Sequence, residues 1–231
     1  ELVPKDGLVI ANWDDDSVRK TLEEINRPLL TFGLNEGDLH IANLVWNKGL
    51  PTFDIIAEGQ QYAHVALRVP GLHNVKDALA AAAAAYALKV PGPAVEQGLD
   101  HFRGAGRRFE HKGSYHGAEI YDDYAHHPAE LKALLDTACT LGYQRVICAF
   151  QPHTYTRTKA LFSDFVKVLQ IPDLTLLAEI FAAREDNTIG ISSRDLQEKV
   201  PNSLYFSTLS ELTDYLKQIA RPGDLILTVG A

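Results

Sequence analysis

Methionine is absent from all 231 positions, the first included, and the chain opens directly on "ELVPKDG". That opening reads as a point inside a longer protein and carries no signal-peptide pattern. Cysteine is almost absent. Cys139 and Cys148 form no C-x-x-C and have no second pair with which to build a zinc site. Two free thiols suit a reducing compartment, so a cytoplasmic location is expected. Long apolar runs are also missing. The most apolar stretch, "ALAAAAAAYAL" at residues 78–88, falls short of the ~20 residues a bilayer span requires, and no membrane partner is expected. Nor is there an excess of positive charge: 30 acidic residues against 22 basic ones leave a formal net charge of -8. That is the wrong sign for a protein holding nucleic acid through clustered Lys and Arg, so no nucleic-acid partner is expected. Finally, neither G-x-x-x-x-G-K-[ST] nor G-x-G-x-x-G occurs. The chain encodes no phosphate cradle of its own.

What is present falls into two parts. The first hundred residues are mixed. "LVIANW" and "PLLTFGL" read as strands around an acidic helix entry, "DDDSVRKTLEEI". "HIANLVW", "FDIIAEG" and "AHVALRV" then read as hairpin strands broken by Gly, Asn and Pro. "NVKDALAAAAAAYALKV" is a helix apolar on all sides, which predicts burial all round. "RGAGRRFEHKGS", residues 103–114, holds Gly104, Gly106 and Gly113 with Arg103, Arg107 and Arg108, and reads as a linker. Beyond it five strands ("AEIYDD", "RVICAF", "LTLLAEIF", "SLYFS", "DLILTVG") alternate with helices. That alternation predicts an α/β domain with a mostly parallel, doubly wound sheet.

In such sheets ligands bind outside the carboxyl ends of the strands. The loops there are "DDYAHHP", "QPHTYTRT" and "FAARED", which bring Asp122, Asp123, Tyr124, His126, His127, His153, Tyr155, Arg157, Arg184 and Glu185 to one edge. The opposite loops ("LGYQ", "LQIPD", "VPNS", "ARPG") hold turn residues and little chemistry. Plain readings stand beside this one. Pro128 and Glu130 suit a first helical turn, and the aspartates and histidines could be solvated helix-entry residues. The tyrosines could pack on the sheet edge, and Arg107 and Arg108 could be linker charges. Arg157 is different, because a cation near a helix start opposes the dipole and is better explained by an anion it meets. In the first half, His73 and Asn74 open the alanine helix, where a helix end can meet a nucleotide.

"GLHNVKDALAAAAA", "GAGRRFE", "DDYAHHPAE", "QPHTYTRT" and "EIFAARED…GISS" stand in the order and spacing of the Mur ligases, which the chain resembles along essentially its whole length. The resemblance implies that residues 1–104 are the rear of a central ATP-binding domain and residues 105–231 a Rossmann-like C-terminal domain lacking its last helices. The UDP-sugar domain, the phosphate loop and the Mg2+ ligands would lie in a missing N-terminal part of the same protein. It also implies an ATP-dependent ligation of L-alanine to UDP-N-acetylmuramate through an acyl phosphate, in peptidoglycan biosynthesis, with this chain inactive alone. By residue, His73, Asn74 and Asp77 would meet adenine, Arg108 the ATP phosphates or ribose, and Asp123 a ribose hydroxyl. Tyr124, His126, His153 and Arg157 would face the amino acid, with His126, Arg157 and Asp123 the catalytic set. Arg157 suits its carboxylate, which a guanidinium binds bidentately.

Two positions depart from the family pattern. Asp77 stands where many members have a second Asn, and Thr154 where many have an Arg. Beside a catalytically silent ligand-binding module, which would bind nucleotide without any partner domain, two other readings compete. One is a recycling ligase that joins a tripeptide to the same UDP-sugar and shares the "AHHP" bend, against which "QPHTYTRT" and "AARED" weigh. The other, of a different class, is a metal-dependent hydrolase using Asp122, His126, His127 and His153, although the ligase reading expects no metal site in this chain.

Overall fold

The computed structural model describes residues 3–47 and 49–231. The chain divides into two compact units, Glu1–Arg103 and Gly104–Ala231, and among the described residues no helix is long and apolar enough to cross a membrane.

In the first unit, β1 (Val9–Asn12), β2 (Leu29–Gly33), β3 (Leu39–Asn47), β4 (Leu50–Ala57) and β5 (Gln60–Ala66) form one sheet in that spatial order. The first three strands run parallel and the last three antiparallel. Helix α1 (Asp16–Leu22) joins β1 to β2 and is capped by Asp15, whose carboxylate accepts from the N–H groups of Ser17 and Val18. The turn from β4 to β5 is made by Glu58 and Gly59 at φ 50° and 72°, the two positive values that a type I′ hairpin turn requires. Helix α2 (Leu72–Ala87) buries Val75, Ala78, Leu79, Ala82 and Ala83, an i, i+3, i+4, i+7, i+8 stripe. The expectation of burial on every side fails here, since Ala81 and Ala84 are exposed. A methyl group costs little to leave in water, and Ala has the best helix propensity, so an alanine run reports helix but not depth.

Helix α3 (Gly92–His101) packs against β5 at a point where only glycine fits. A β carbon on Gly92 would lie 1.7 Å from the backbone oxygen of Tyr62, and backbone cannot rotate aside. Gly92→Ala is therefore expected to cost about 2–3 kcal/mol, the upper part of the overpacking range. The measurement is the urea midpoint at unchanged slope, and an unmoved midpoint would contradict this close approach.

The second unit holds β6 (Glu110–Tyr115), β7 (Ala118–Asp123), α4 (Pro128–Cys139), β8 (Arg145–Phe150), α5 (Tyr155–Ala160), α6 (Phe162–Val168), β9 (Leu174–Ala178), α7 (Ser193–Gln197), β10 (Ser203–Phe206), α8 (Leu209–Ile219) and β11 (Asp224–Val229). The strand order is β10-β9-β8-β11-β7-β6, parallel throughout except for β6. Strand β8 is apolar without alternation because both its faces are covered. Val146, Cys148 and Phe150 pack with Leu131 and Leu135 of α4, Phe165 of α6 and Leu196 of α7. Ile147 and Ala149 pack on the other face with Leu212 of α8. Helix α8 lies on that face because its connection, β10 to β11, runs back across the sheet.

Two expectations are corrected. Residues 103–114 are not linker throughout, since 110–114 belong to β6, an edge strand whose "EHKGSY" lacks the apolar alternation of a half-buried strand. The helix expected over "TRTKALFSDFVKVLQ" breaks at Leu161 (φ -109°, ψ 20°) into α5 and α6.

Candidate functional site

Strand register sets the site. Asp123, Val229, Phe150 and Leu177 lie in one row across β7, β11, β8 and β9. The loops leaving β7, β8 and β9 therefore begin level with one another, at the sheet's carboxyl edge.

At the end of β7 the two aspartates take opposite tasks. Asp123 is 7% exposed, and its two oxygens accept from the backbone N–H groups of Phe109 and Ala125, both at 2.8 Å. Asp122 accepts from Arg107 Nε at 3.0 Å and from the Thr228 hydroxyl at 2.9 Å. Arg107 also donates to Gly230 O at 2.6 Å, and its guanidinium lies 4.7 Å from the centre of the Tyr124 ring. The Arg108 guanidinium is 5.9 Å from the same ring. The "linker" arginines thus close over the start of the loop.

His127 is the N-cap of α4. Its Nδ1 accepts from Ala129 N–H at 3.3 Å, while Glu130 reaches back to the N–H groups of His126 and His127. Burial pushes the Glu130 carboxyl up, but those two amides outweigh it and hold the group below the usual carboxylate range. With His127 and Glu130 so engaged, the loop presents His126, whose Nδ1 lies 3.0 Å from Tyr124 O and whose ring meets Tyr124 edge-on at 5.4 Å. Glu130 had read only as a first-turn residue; the E three places after the cap is the capping-box signal that marks its larger part.

After β8 the chain runs to His153, paired with Phe181 by an isolated parallel bridge, and then turns sharply. Thr154 sits at φ 69°, ψ 142°, backbone that a β-branched residue adopts only when its surroundings force it. Its N–H donates to Phe181 O, and its carbonyl accepts from the Thr158 hydroxyl at 2.7 Å. Glu185 caps the following helix, taking the N–H and hydroxyl of Thr156, and those bonds hold its carboxyl below the usual range. One turn into α5, Arg157 brings Nη1 to 3.5 Å from His153 Nδ1. Among the described residues no carboxylate pairs with Arg157. His153 and His126 have ring centres 6.2 Å apart. Arg108, Tyr124, His126, His153 and Arg157 therefore form a continuous run of neighbours at one edge.

Burial first, then the Arg157 guanidinium and His126, depress the basicity of His153, against an opposing pull from Glu185. The ring is neutral at pH 7, and its titration midpoint by NMR is expected below about 6.5, the ordinary value. The sign for stability follows. Between the lowered folded value and about 6.5 the unfolded chain binds more protons, so stability rises with pH through that window. A midpoint above the ordinary value would contradict this placement.

In the first unit, Asn74 donates from Nδ2 to Pro70 O at 2.6 Å and lies 3.2 Å from His73 Nε2. His73 and Asp77 are exposed at the start of α2. Nearby, Lys76 pairs with Asp14 at 3.2 Å, and Asp14 accepts from Leu34 N–H. Among the described residues no group of three or more His, Cys, Asp or Glu side chains is arranged to hold a metal ion. Asp122 and His127, two of the residues a metal-dependent hydrolase would use, are committed instead to Arg107 and to the α4 cap.

Comparison with known proteins gives a consistent picture. Residues 1–85 match the Mur ligase middle domain, and residues 107–231 match the Mur ligase, glutamate ligase domain. A UDP-N-acetylmuramate–L-alanine ligase of Clostridium novyi (strain NT) is 41% identical over 235 residues, covering 100% of this chain and 51% of that relative. The ligase of the same name from Clostridium perfringens (strain 13 / Type A) is 40% identical, with 100% and 51% covered. The chain thus spans about half the length of the curated relatives it matches. Among solved structures, UDP-N-acetylmuramate-alanine ligase MurC of Thermotoga maritima superposes with a TM-score of 0.78 at 24% identity, over 96% of this chain and 48% of that one. MurF of Acinetobacter baumannii gives 0.79 at 19%, over 99% and 49%. Those two likenesses establish the fold. The domain matches leave only residues 86–106 uncovered, and on them the chain belongs to the Mur ligase family.

Proposed function

We propose that this chain is the ATP-site rear and amino-acid half of a UDP-N-acetylmuramate–L-alanine ligase, acting in peptidoglycan biosynthesis. The observation that carries the reading is the likeness, along the whole of this chain and at 41% and 40% identity, to about half the length of two relatives bearing that name. In it, residues 1–104 complete a central ATP-binding domain and residues 105–231 form the domain that delivers the amino acid. ATP, UDP-N-acetylmuramate and L-alanine are the substrates. Mg2+ accompanies the phosphates, with its ligands in the N-terminal half.

The chemistry is amide formation by way of an acyl phosphate, which calls for positioning and charge neutralisation more than for a protein nucleophile. His73, Asn74 and Asp77 hold adenine at the start of α2. Arg108 reaches the ATP phosphates or ribose, and Asp123, with one lone pair left on each oxygen, takes a ribose hydroxyl. Arg157, with no carboxylate partner among the described residues and set in the first turn of α5, binds the carboxylate of L-alanine. Tyr124, His126 and His153 line the same place, with His126 and Arg157 closest to the reacting amino acid.

The test is phosphate release by a chimera in which this chain replaces the matching half of the Clostridium novyi ligase, supplied with ATP, Mg2+ and UDP-N-acetylmuramate. Release is expected only when L-alanine is added, and the 231-residue chain alone should release none, having no phosphate loop. Release that ignores L-alanine, or turnover by the chain alone, would contradict the proposal.

A further inference from the structure

His126 and His153 stand side by side, yet the protein engages their rings oppositely. His126 Nδ1 lies 3.0 Å from Tyr124 O. A carbonyl oxygen only accepts, so Nδ1 carries the proton of the neutral ring and Nε2 keeps a lone pair. His153 Nδ1 faces Arg157 Nη1 at 3.5 Å. A guanidinium only donates, so here Nδ1 is the acceptor and the proton sits on Nε2. One edge of the sheet therefore displays a lone pair and an N–H on neighbouring rings whose centres are 6.2 Å apart.

We propose that His126 is the proton acceptor for the substrate amine, and that His153 is a hydrogen-bond donor that joins Arg157 on the substrate carboxylate. The assignment rests on the amide-forming reading above. In the step concerned, the amine nitrogen forms its bond to the carbonyl carbon of the acyl phosphate, and the bond from that carbon to the phosphate oxygen breaks. Phosphate leaves with the electron pair, and the surplus N–H proton passes to His126 Nε2. The charges around each ring favour this division. Glu130 Oε2 lies 3.6 Å from His126 Nδ1 and steadies the imidazolium that results. His153 has burial against it first, then Arg157 and His126, with Glu185 opposing, so a second positive charge there is disfavoured. A single histidine could not serve both the neutral amine and the carboxylate of the amino acid, because its neutral ring offers one lone pair and one N–H and the protein has claimed one of the two.

The assignment is read directly from long-range proton–nitrogen NMR correlations on the nitrogen-15-labelled 231-residue chain at about pH 8, above the ordinary range of imidazole. His126→Asn and His153→Asn variants identify the signals. The expected unprotonated nitrogen is Nε2 in His126 and Nδ1 in His153. Arg157→Ala should release His153 to the averaged pattern of a free imidazole while His126 stays fixed. The same nitrogen unprotonated in both rings, averaging in either ring of the parent chain, or a His153 indifferent to Arg157→Ala would overturn the assignment. Kinetics of the chimera separate this idea from the ligase reading. His126→Gln should lower kcat about 100-fold, the low end for loss of a general base, with the KM for L-alanine little changed, whereas His153→Gln should chiefly raise that KM. A chimera with no L-alanine-dependent turnover sinks the ligase reading, and the substrate roles with it, whatever the tautomers. Normal turnover with His126 and His153 showing interchangeable kinetic effects sinks the division of roles alone.

Discussion

In the chimera, Arg157→Ala is expected to raise the KM for L-alanine about 100-fold while the KM for ATP stays within about twofold. A hydrogen bond to a charged group contributes about 1.5–3 kcal/mol, and a bidentate carboxylate contact makes two of them. Losing roughly 3 kcal/mol of binding corresponds to about two powers of ten in affinity. Thr154 deepens the dependence. Where many family members offer a second arginine, this chain has a hydroxyl residue whose backbone is held at φ 69°, so under the proposed function Arg157 would carry the carboxylate without that help. Its freedom from any partner carboxylate among the described residues points the same way, because a guanidinium already paired would have to break that pair first. Steady-state kinetics in both substrates decide the matter. Equal rises in both constants would remove Arg157 from the amino-acid site.

The second large effect lies at the far edge of the same sheet. Arg145→Met is expected to destabilise the second unit by about 3–5 kcal/mol, the cost of stranding one partner of a buried pair. Asp224 is 0% exposed. Arg145 meets its carboxylate with Nε at 3.0 Å and Nη2 at 2.5 Å, and donates as well to Ile219 O. The pairing pushes the Arg145 guanidinium further toward its charged form. Arg221 stands close, with its N–H 3.0 Å and its Nε 3.7 Å from the carboxylate, but its side chain is largely exposed and replaces little of the loss. Arg145 and Asp224 are register partners at the amino ends of β8 and β11, whereas the candidate site is at the carboxyl ends. Urea unfolding should therefore show the full loss while the KM for L-alanine in the chimera holds at temperatures where the variant stays folded. A shift below about 1 kcal/mol would mean that the pair is worth no more than a surface ion pair.

The contrast between these two arginines bears on how much of the molecule its sequence discloses. The alternation of strand and helix past residue 117 is plain in the sequence because each strand is buried on one or both faces, and each helix carries its own punctuation, such as the His127–Glu130 box or the Thr208–Glu211 box. Strand β6 is not plain, because an edge strand has one neighbour and no apolar face to advertise. The break at Leu161 is equally hidden, because "TRTKALFSDFVKVLQ" keeps a helical pattern through it. At the site, the sequence places Asp, His and Arg on one edge by topology alone. It does not say that Asp123 turns inward to two backbone amides, that Arg107 leaves the apparent linker to hold Asp122 and cover Tyr124, or that of two adjacent histidines His127 caps α4 while His126 meets Tyr124 and His153. Each of those depends on local hydrogen-bond geometry, which residue identity underdetermines. Arg145 and Asp224, 79 residues apart in the chain, have no sequence signal linking them at all.

The central claim is that this chain recognises L-alanine as the incoming amine. Mass spectrometry of the chimera's product tests it most directly, with L-alanine and the L-Ala-γ-D-Glu-meso-diaminopimelate tripeptide offered together in equal amounts alongside ATP, Mg2+ and UDP-N-acetylmuramate. The account predicts one adduct, UDP-N-acetylmuramate joined to a single alanine with loss of water. An adduct carrying the tripeptide would contradict it and move the chain to the recycling branch of the family.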